Sequence, residues 1–437
     1  MCGRLFFLCA AGGELICMAT ISQSELVLSF EEARSVVTEH ARKITGSRSL
    51  AEERVPLLSS LGRVLAQPVL ADRDLPPFSR SARDGFALNA SDIASATEPQ
   101  PTSLQVVAEI PAGTSAPLSP ITSGQAAEIM TGAPVPPGAD AVVMVEYTRR
   151  KGDAVLVQRP AKAGENVVPR GAEAKSGQQL LSAGTRIDHA AIAVAASVGK
   201  SVLEVFRKPR VAILSTGDEL IDVASSPGPH QIRNSNSFSL AAQVLAAGGE
   251  PAQLPVARDN LESLRPLVEE GLKADLLLLS GGVSMGKHDL VEQVLVEFSA
   301  EFFFTGALIQ PGRPAVFGRA KTSAEPTYFF GLPGNPVSTM VTFDLFARPI
   351  LDALAGAQSS PLQFAQIKLK SEIKTKTGLT RFLPARLSGM HNQTEVELVR
   401  WQGSGDVVAT AAANCYVVIP PNRDTIAAGE LVSVLLR

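Results

Sequence analysis

From Arg210 to about residue 355 the chain alternates short apolar runs with segments whose apolar residues recur every three or four positions. The runs at 211–215, 252–256, 275–280, 301–305, 315–318 and 328–331 predict strands. The segments at 237–247, 261–271, the stretch from Leu290 and the stretch from Pro336 predict helices. Such alternation implies a parallel sheet covered by helices, with ligands bound beyond the strand C-termini. Upstream, residues 29–44 predict a helix capped by Ser29, with Glu32 at the third position and Ala33, Val36 and Val37 on one face. Residues 61–66 predict a second, short helix. Between 68 and 165 the pattern changes to short strands and Pro/Gly turns, a β module inserted into the first region. Residues 167–198 return to mixed loop and helix. From about 360 to the end, alternation as in 366–370 predicts a small β-barrel.

The fold class is therefore multidomain α/β plus β. The divisions are an N-terminal extension (1–28), a mixed domain (29–67 and 166–208), the inserted β domain (68–165), a parallel-sheet α/β domain (209–357) and a C-terminal barrel (358–437).

The 437 residues are 45% hydrophobic and 19% charged, with net charge −3. That balance gives no reason to expect nucleic acid, so an anionic ligand must be met by local Arg and Lys. No apolar run reaches membrane-spanning length. Cys2, Cys9, Cys17 and Cys415 have no paired spacing, so neither a disulfide framework nor a zinc site is expected. This suits a reducing, cytoplasmic setting. The apolar stretch 5–11 is too short for a convincing leader, and Met18 reads as the start of the chain or the end of a disordered extension.

The candidate chemistry lies in loops that follow strands. Residues 275–289 end an apolar strand, pass through Gly281, Gly282 and Gly286, and reach Asp289, which with Glu292 forms a capping box. A glycine loop feeding a helix N-terminus is an anion site made of bare N–H groups, or simply a tight turn. The stretch nearly spells a phosphate-binding P-loop, with Lys287 in place, but His288 stands where a Ser or Thr must hold Mg²⁺. Asp218 and Glu219 follow the first strand of the α/β domain, as caps or as a carboxylate pair for a hard cation. Residues 234–237 (Asn-Ser-Asn-Ser) precede a helix and serve as caps on the simplest reading. Arg313 lies between strands and would clamp an oxyanion if it faced a cleft. Gly334, Asn335, Pro336 and Ser338 form a second helix start aimed at the same edge. In the β insert, Asp84 before Gly85 and the run 130–134 read as turns.

In this order, the runs SARDGFA (81–87), MTGAP (130–134), STGDEL (215–220), NSNS (234–237), SGGVSMGKHD (280–289), PGRP (311–314), GLPGNPVS (331–338) and GSG (403–405) resemble the MoeA-type molybdopterin molybdenumtransferases, which include the enzymatic domain of gephyrin. The resemblance implies an enzyme that takes adenylylated molybdopterin and molybdate, releases AMP with Mg²⁺ present, and leaves molybdenum on the pterin dithiolene. It implies a homodimer in which the α/β cleft of one chain meets the β insert of the other. Asp84 and Thr131 would then act across the interface.

Carried over by motif, Asp84, Thr131, Glu219 and Asp289 are the catalytic candidates, with Asp289 and Glu219 at the metal. Gly281, Gly282 and Ser284 would cradle phosphate, and Gly334, Asn335 and Ser338 would face the pterin or oxyanion. Arg313, Ser338, Arg381 and Ser404 would hold molybdate. The implied partners are the molybdopterin adenylyltransferase and molybdoenzyme maturation factors. The chain departs from the common pattern at Gln310, where relatives often carry Lys, at Lys287, where some are acidic, and at Arg83, often Met. The competing readings are a non-enzymatic gephyrin-like scaffold and a P-loop-like nucleotide-dependent phosphotransferase.

Overall fold

The computed structural model describes residues 26–47, 50–114, 118–282, 290–321, 326–358 and 362–437. It divides into two compact units, one of residues 51–207 and one that joins the N-terminal 50 residues to 208–437.

The second of these is built on a six-stranded sheet. Its strands are β1 (Arg210–Ser215), β2 (Glu250–Gln253), β3 (Leu276–Ser280), β4 (Glu301–Phe304), β5 (Val316–Ala320) and β6 (Thr327–Leu332), in the spatial order β2-β1-β3-β6-β5-β4. The pairs β2–β1, β1–β3 and β3–β6 are parallel, as the alternation predicts. The strands β5 and β4 add an antiparallel edge that the sequence pattern did not reveal. The wholly apolar β3 is explained by its two faces. Leu276 and Leu278 enter a core with α1 (Phe30–Ser47) and α2 (Ser235–Ala246), while Leu277 and Leu279 pack against α3 (Leu261–Gly271) and α4 (Leu290–Glu297).

Helix α1 begins as expected. The Glu32 N–H donates to Ser29 Oγ at 3.2 Å, and Ser29 N–H donates back to Glu32 Oε2 at 2.9 Å. Its apolar face sends Phe30, Val37 and Ala41 into the α/β core, with the Phe30 ring 5.0 Å from that of Phe382. The helix thus belongs to this unit and not with residues 50–67, where the sequence reading had grouped it. Sequence proximity suggested one neighbour; the apolar face chose another.

The last helices are α5 (Pro336–Thr342) and α6 (Arg348–Leu354), joined by a π-helical turn over Phe343–Ala347. A closed barrel follows, formed by Phe364–Leu369, Thr380–Ser388, Glu395–Leu398, Cys415–Ile419 and Leu431–Leu436. Ile309–Gln310 pairs in parallel with Thr380 and Arg381, which brings the 310–314 loop to the barrel's edge.

In the unit of residues 51–207, a six-stranded sheet runs Ala141–Met144, Gly85–Leu88, Gln125–Ile129, Thr102–Ile110, Ala154–Val157, Thr148–Lys151. The chain on either side of this module comes back together, since Glu52–Pro56 pairs with Val202–Phe206 and Val69–Leu70 with Gln179–Leu181. The short helix expected at 61–66 is not formed. Only Leu57–Ser60 makes a 3₁₀ turn; Gly62 then takes φ +76°, and Val64 and Leu65 bridge to Arg186 and Val205. Burial of Val64 and Leu65 against those partners overrides the local helical pattern. Among the described residues, no helix is long and apolar enough to cross a membrane.

Candidate functional site

The C-terminal ends of β1, β3 and β6 open on a cleft of about 980 Å³. Its floor is made where β1 and β3 end. The Thr216 N–H donates to Ser280 O at 3.0 Å, and the Gly281 N–H donates to Leu332 O at 3.2 Å, so three strand ends are tied side by side. Gly281 and Gly282 then turn with φ +88° and +65°. A Cβ on Gly281 would stand 2.6 Å from Thr216 O, and one on Gly282 would stand 2.6 Å from Thr216 Oγ1. Both backbone geometry and packing therefore require glycine here.

Opposite this turn lies the start of α5. Asn335 occupies the cap position, but its side chain makes no capping hydrogen bond and stands exposed on the cleft. The carbonyls behind it are instead satisfied by Thr339, whose Oγ1 donates to Pro333 O at 2.5 Å and Asn335 O at 3.0 Å. One side chain fastens the two loops together. Asn236 Nδ2 donates to Ser280 Oγ at 2.8 Å and to Gly334 O at 2.7 Å. Asn234, the true cap of α2, accepts from the Ser237 N–H at 3.2 Å and from Ser215 Oγ at 3.2 Å.

The rim beside β1 and β2 is acidic. Glu219 lines the cleft with Asp259 and Arg258. Asp218 lies 3.9 Å from Arg258, an exposed and loose pair. Partial burial, reinforced by the negative charges of Asp218 and Glu219, holds the Asp259 carboxyl above the usual carboxylate range. Among the described residues, no group of three His, Cys, Asp or Glu side chains could hold a metal. The oxygen donors of this rim suit a hard cation that takes the remainder of its shell from ligand phosphate and water.

Of the residues singled out from sequence, Glu219, Gly281, Gly282, Gly334 and Asn335 line this cleft. Ser284 and Asp289, with Lys287 and His288, lie outside the described residues. Arg313, Ser338, Arg381 and Ser404 do not line it, although their neighbours Pro314 and Gly405 do. Ser338 lies in the first turn of α5, and Ser404 adjoins its start. Ser404 O accepts from the Val337 N–H at 3.0 Å, and Gly312 lies against Thr342 and Ser338. Arg381 is buried, stands in register with Gln310, and donates to Leu379 O at 3.1 Å, while Arg313 is exposed. Burial lowers the Arg381 guanidinium pKa, but arginine starts so high that it stays a positive charge held in a confined place.

Asp84 and Thr131 belong to the other unit, and they form a pair. Asp84 Oδ1 accepts from the Thr131 N–H at 2.6 Å and from its Oγ1 at 2.8 Å, and these bonds hold the exposed carboxyl below its ordinary range. Asp84 lies in a bend, as the sequence suggests, and Gly85 begins the strand that follows. A Cβ there would stand 2.0 Å from Val143 O.

Sequence reasoning missed Thr216, Ser280, Asn236, Arg258 and Asp259 as cleft residues. The available signal was position: each follows a strand end or opens a helix at the sheet edge where ligands bind. Small polar residues in such places look like caps and turns until a second loop is seen across from them.

Three family profiles match the chain in succession: the MoeA N-terminal region (domains I and II) over residues 28–199, a probable molybdopterin binding domain over 212–353, and the MoeA C-terminal region (domain IV) over 366–436. A molybdopterin molybdenumtransferase of Nostoc is 36% identical over 386 residues, covering 88% of each chain. The protein of that name from Bacillus subtilis is 33% identical, covering 92% of this chain and 93% of its own. A crystal structure of a molybdopterin biosynthesis MoeA protein from Pyrococcus horikoshii is similar with a TM-score of 0.75 at 30% identity, covering 94% of this chain and all of that one.

Proposed function

Since the chain belongs to the MoeA family of molybdopterin molybdenumtransferases, we propose that it inserts molybdenum from molybdate into adenylylated molybdopterin and releases AMP. The observation that carries this reading is the cleft in which the Gly281–Gly282 turn faces Gly334 and Asn335 across the ends of three strands. Two glycines with no side chain to crowd a ligand, facing the start of α5, leave room for a phosphate-bearing ligand there. The acidic rim disfavours phosphate near Glu219 and Asp259 unless a cation intervenes.

In this reading Gly281, Gly282 and Ser284 cradle the phosphates, while Gly334 and Asn335 orient the pterin side. Glu219 and Asp289 are the carboxylates assigned to Mg²⁺, which when bound neutralises the charge of the bridging phosphates. Arg313, Ser338, Arg381 and Ser404 take the molybdate. A tetrahedral oxyanion needs fixed donors and a positive charge, and the bond that Ser404 accepts from the start of α5, with a buried Arg381 in register with Gln310, supports that role. The chain's contribution is positioning and charge stabilisation, because no protein side chain need bond covalently to either substrate. The working form is a cytoplasmic homodimer, with Asp84 and Thr131 contributed to the partner's cleft. Gln310 removes a cation that many relatives place beside Arg381, so molybdate binding here leans on Arg313 and Arg381.

The test is AMP release from adenylylated molybdopterin with Mg²⁺, with and without molybdate. Molybdate should stimulate release; no stimulation overturns the reading. Arg381→Ala should raise the molybdate concentration needed by about tenfold or more, as loss of a charge-assisted donor set predicts.

A further inference from the structure

Resting on the reading of the cleft as a phosphate site, we propose that Thr216 is a substrate-positioning residue whose hydroxyl donates to a phosphate oxygen seated at the Gly281–Gly282 turn. The polar side chains around it already have partners: Ser215 bonds Asn234, and Ser280 accepts from Asn236. Thr216 differs. The residue is only 5% exposed, yet its Oγ1 has no hydrogen-bond partner. A buried hydroxyl left unbonded gives up its hydration with nothing in return, so its retention at this point calls for a partner that arrives with a ligand.

The backbone around this hydroxyl is fixed, since the Thr216 N–H donates to Ser280 O at 3.0 Å and the residue bridges to Ala257. Oγ1 lies directly against the two glycines, at 3.3 and 2.6 Å from where their Cβ atoms would be. Rotation about χ1 exchanges the hydroxyl with the methyl group and breaks no protein hydrogen bond, because none is made. Turning the hydroxyl toward a ligand at the glycine turn therefore sacrifices no protein hydrogen bond. A second orphan stands on the other side of the same turn. Asn236 spends both Nδ2 hydrogens on Ser280 and Gly334, and its buried Oδ1 is left without a donor. The cleft is thus lined by residues with unmet hydrogen-bonding capacity on both sides of the glycine turn.

The experiment measures AMP affinity by calorimetry, and melting temperature, for wild type, Thr216→Ser, Thr216→Val and Thr216→Ala. The proposal expects Thr and Ser to bind alike, with Val and Ala about tenfold weaker, the loss of one hydrogen bond to a charged group. It also expects Thr216→Val to melt no lower than wild type, because it removes a hydroxyl that bonds nothing in the free protein. Affinity that follows shape, with Thr equal to Val and both above Ser and Ala, overturns the proposal. So does a clear fall in melting temperature for Thr216→Val with unchanged affinity, which would mark a structural hydroxyl. If wild type binds no AMP, the nucleotide reading of the cleft fails first, and that result is visible before any variant is compared.

Discussion

Asp344 lies in the π-helical turn between α5 and α6, half-buried, with one hydrogen bond from Gln243 Nε2 at 2.8 Å to its Oδ1. Burial pushes its carboxyl up to about 6, against the opposing pull of Gln243, Arg437 and Arg348. Its folded pKa lies above the unfolded value, so the native state holds the proton more tightly. The resulting stabilisation is present in acid and is lost as pH rises through about 6. At neutral pH the charge costs on the order of 3 kcal/mol. Asp344→Asn should therefore raise the urea midpoint at pH 7.5, and the gain should vanish near pH 4. A gain independent of pH would mean the charge is not the cause. Tyr416, whose hydroxyl is buried without a partner beside this carboxylate, is pushed in the same upward direction by burial and by Asp344.

At the scale of elements, α1 carries the clearest consequence. His40 is buried on its inner face, stacked on Phe303 with ring centroids 3.9 Å apart, and its Nδ1 lies 3.2 Å from the Tyr328 hydroxyl. Burial, then the charges of Lys43 and Arg319, hold the imidazole below its ordinary range, with Glu39 and Glu301 opposing. For a His whose folded pKa is depressed, the unfolded chain binds the proton first, so stability falls as pH drops below about 6.5. His40 and Asp344 thus push in opposite directions, and only variants separate them. His40→Phe keeps the aromatic stacking and cannot titrate. Its melting temperature should lose less than that of wild type between pH 7.5 and 5.5, and an identical loss would show that His40 does not titrate in that window. The same helix shows why local signals succeed at helix ends: the Ser29–Glu32 box depends on four consecutive residues and little else.

At the scale of the molecule, the proposed homodimer makes a sharp prediction about function. If each cleft is completed by the partner's β module, Asp84→Asn and Glu219→Gln disable different halves of the same composite site. Each variant alone should be inactive. Co-expressed at equal levels, random pairing gives half heterodimers with one intact site of two, so activity should return to about a quarter of wild type. Continued inactivity of the mixture, with heterodimers present, would place both residues in one chain's own site.

Much of this was decided by sequence alone. The period of the apolar residues determined the α/β alternation, the β module and the barrel, because strand and helix burial follow from nearest-neighbour spacing. The ordered motifs led to the family that the comparisons bear out. Gly281, Gly282, Gly334, Asn335 and Glu219 were legible as site candidates because strand ends and helix starts have a chemistry of their own. Tertiary structure decided the rest. It assigned α1 to the α/β unit, since an apolar face states that it must be covered but not by what. It dissolved the helix at 61–66 by pairing Val64 and Leu65 with residues more than a hundred positions away. It also brought Thr216 and the apparent cap residue Asn236 together as lining of the cleft, because an unbonded hydroxyl and a doubly committed amide exist only when separate loops meet. Periodicity is a property of neighbours in the chain; a binding cleft is a property of neighbours in space.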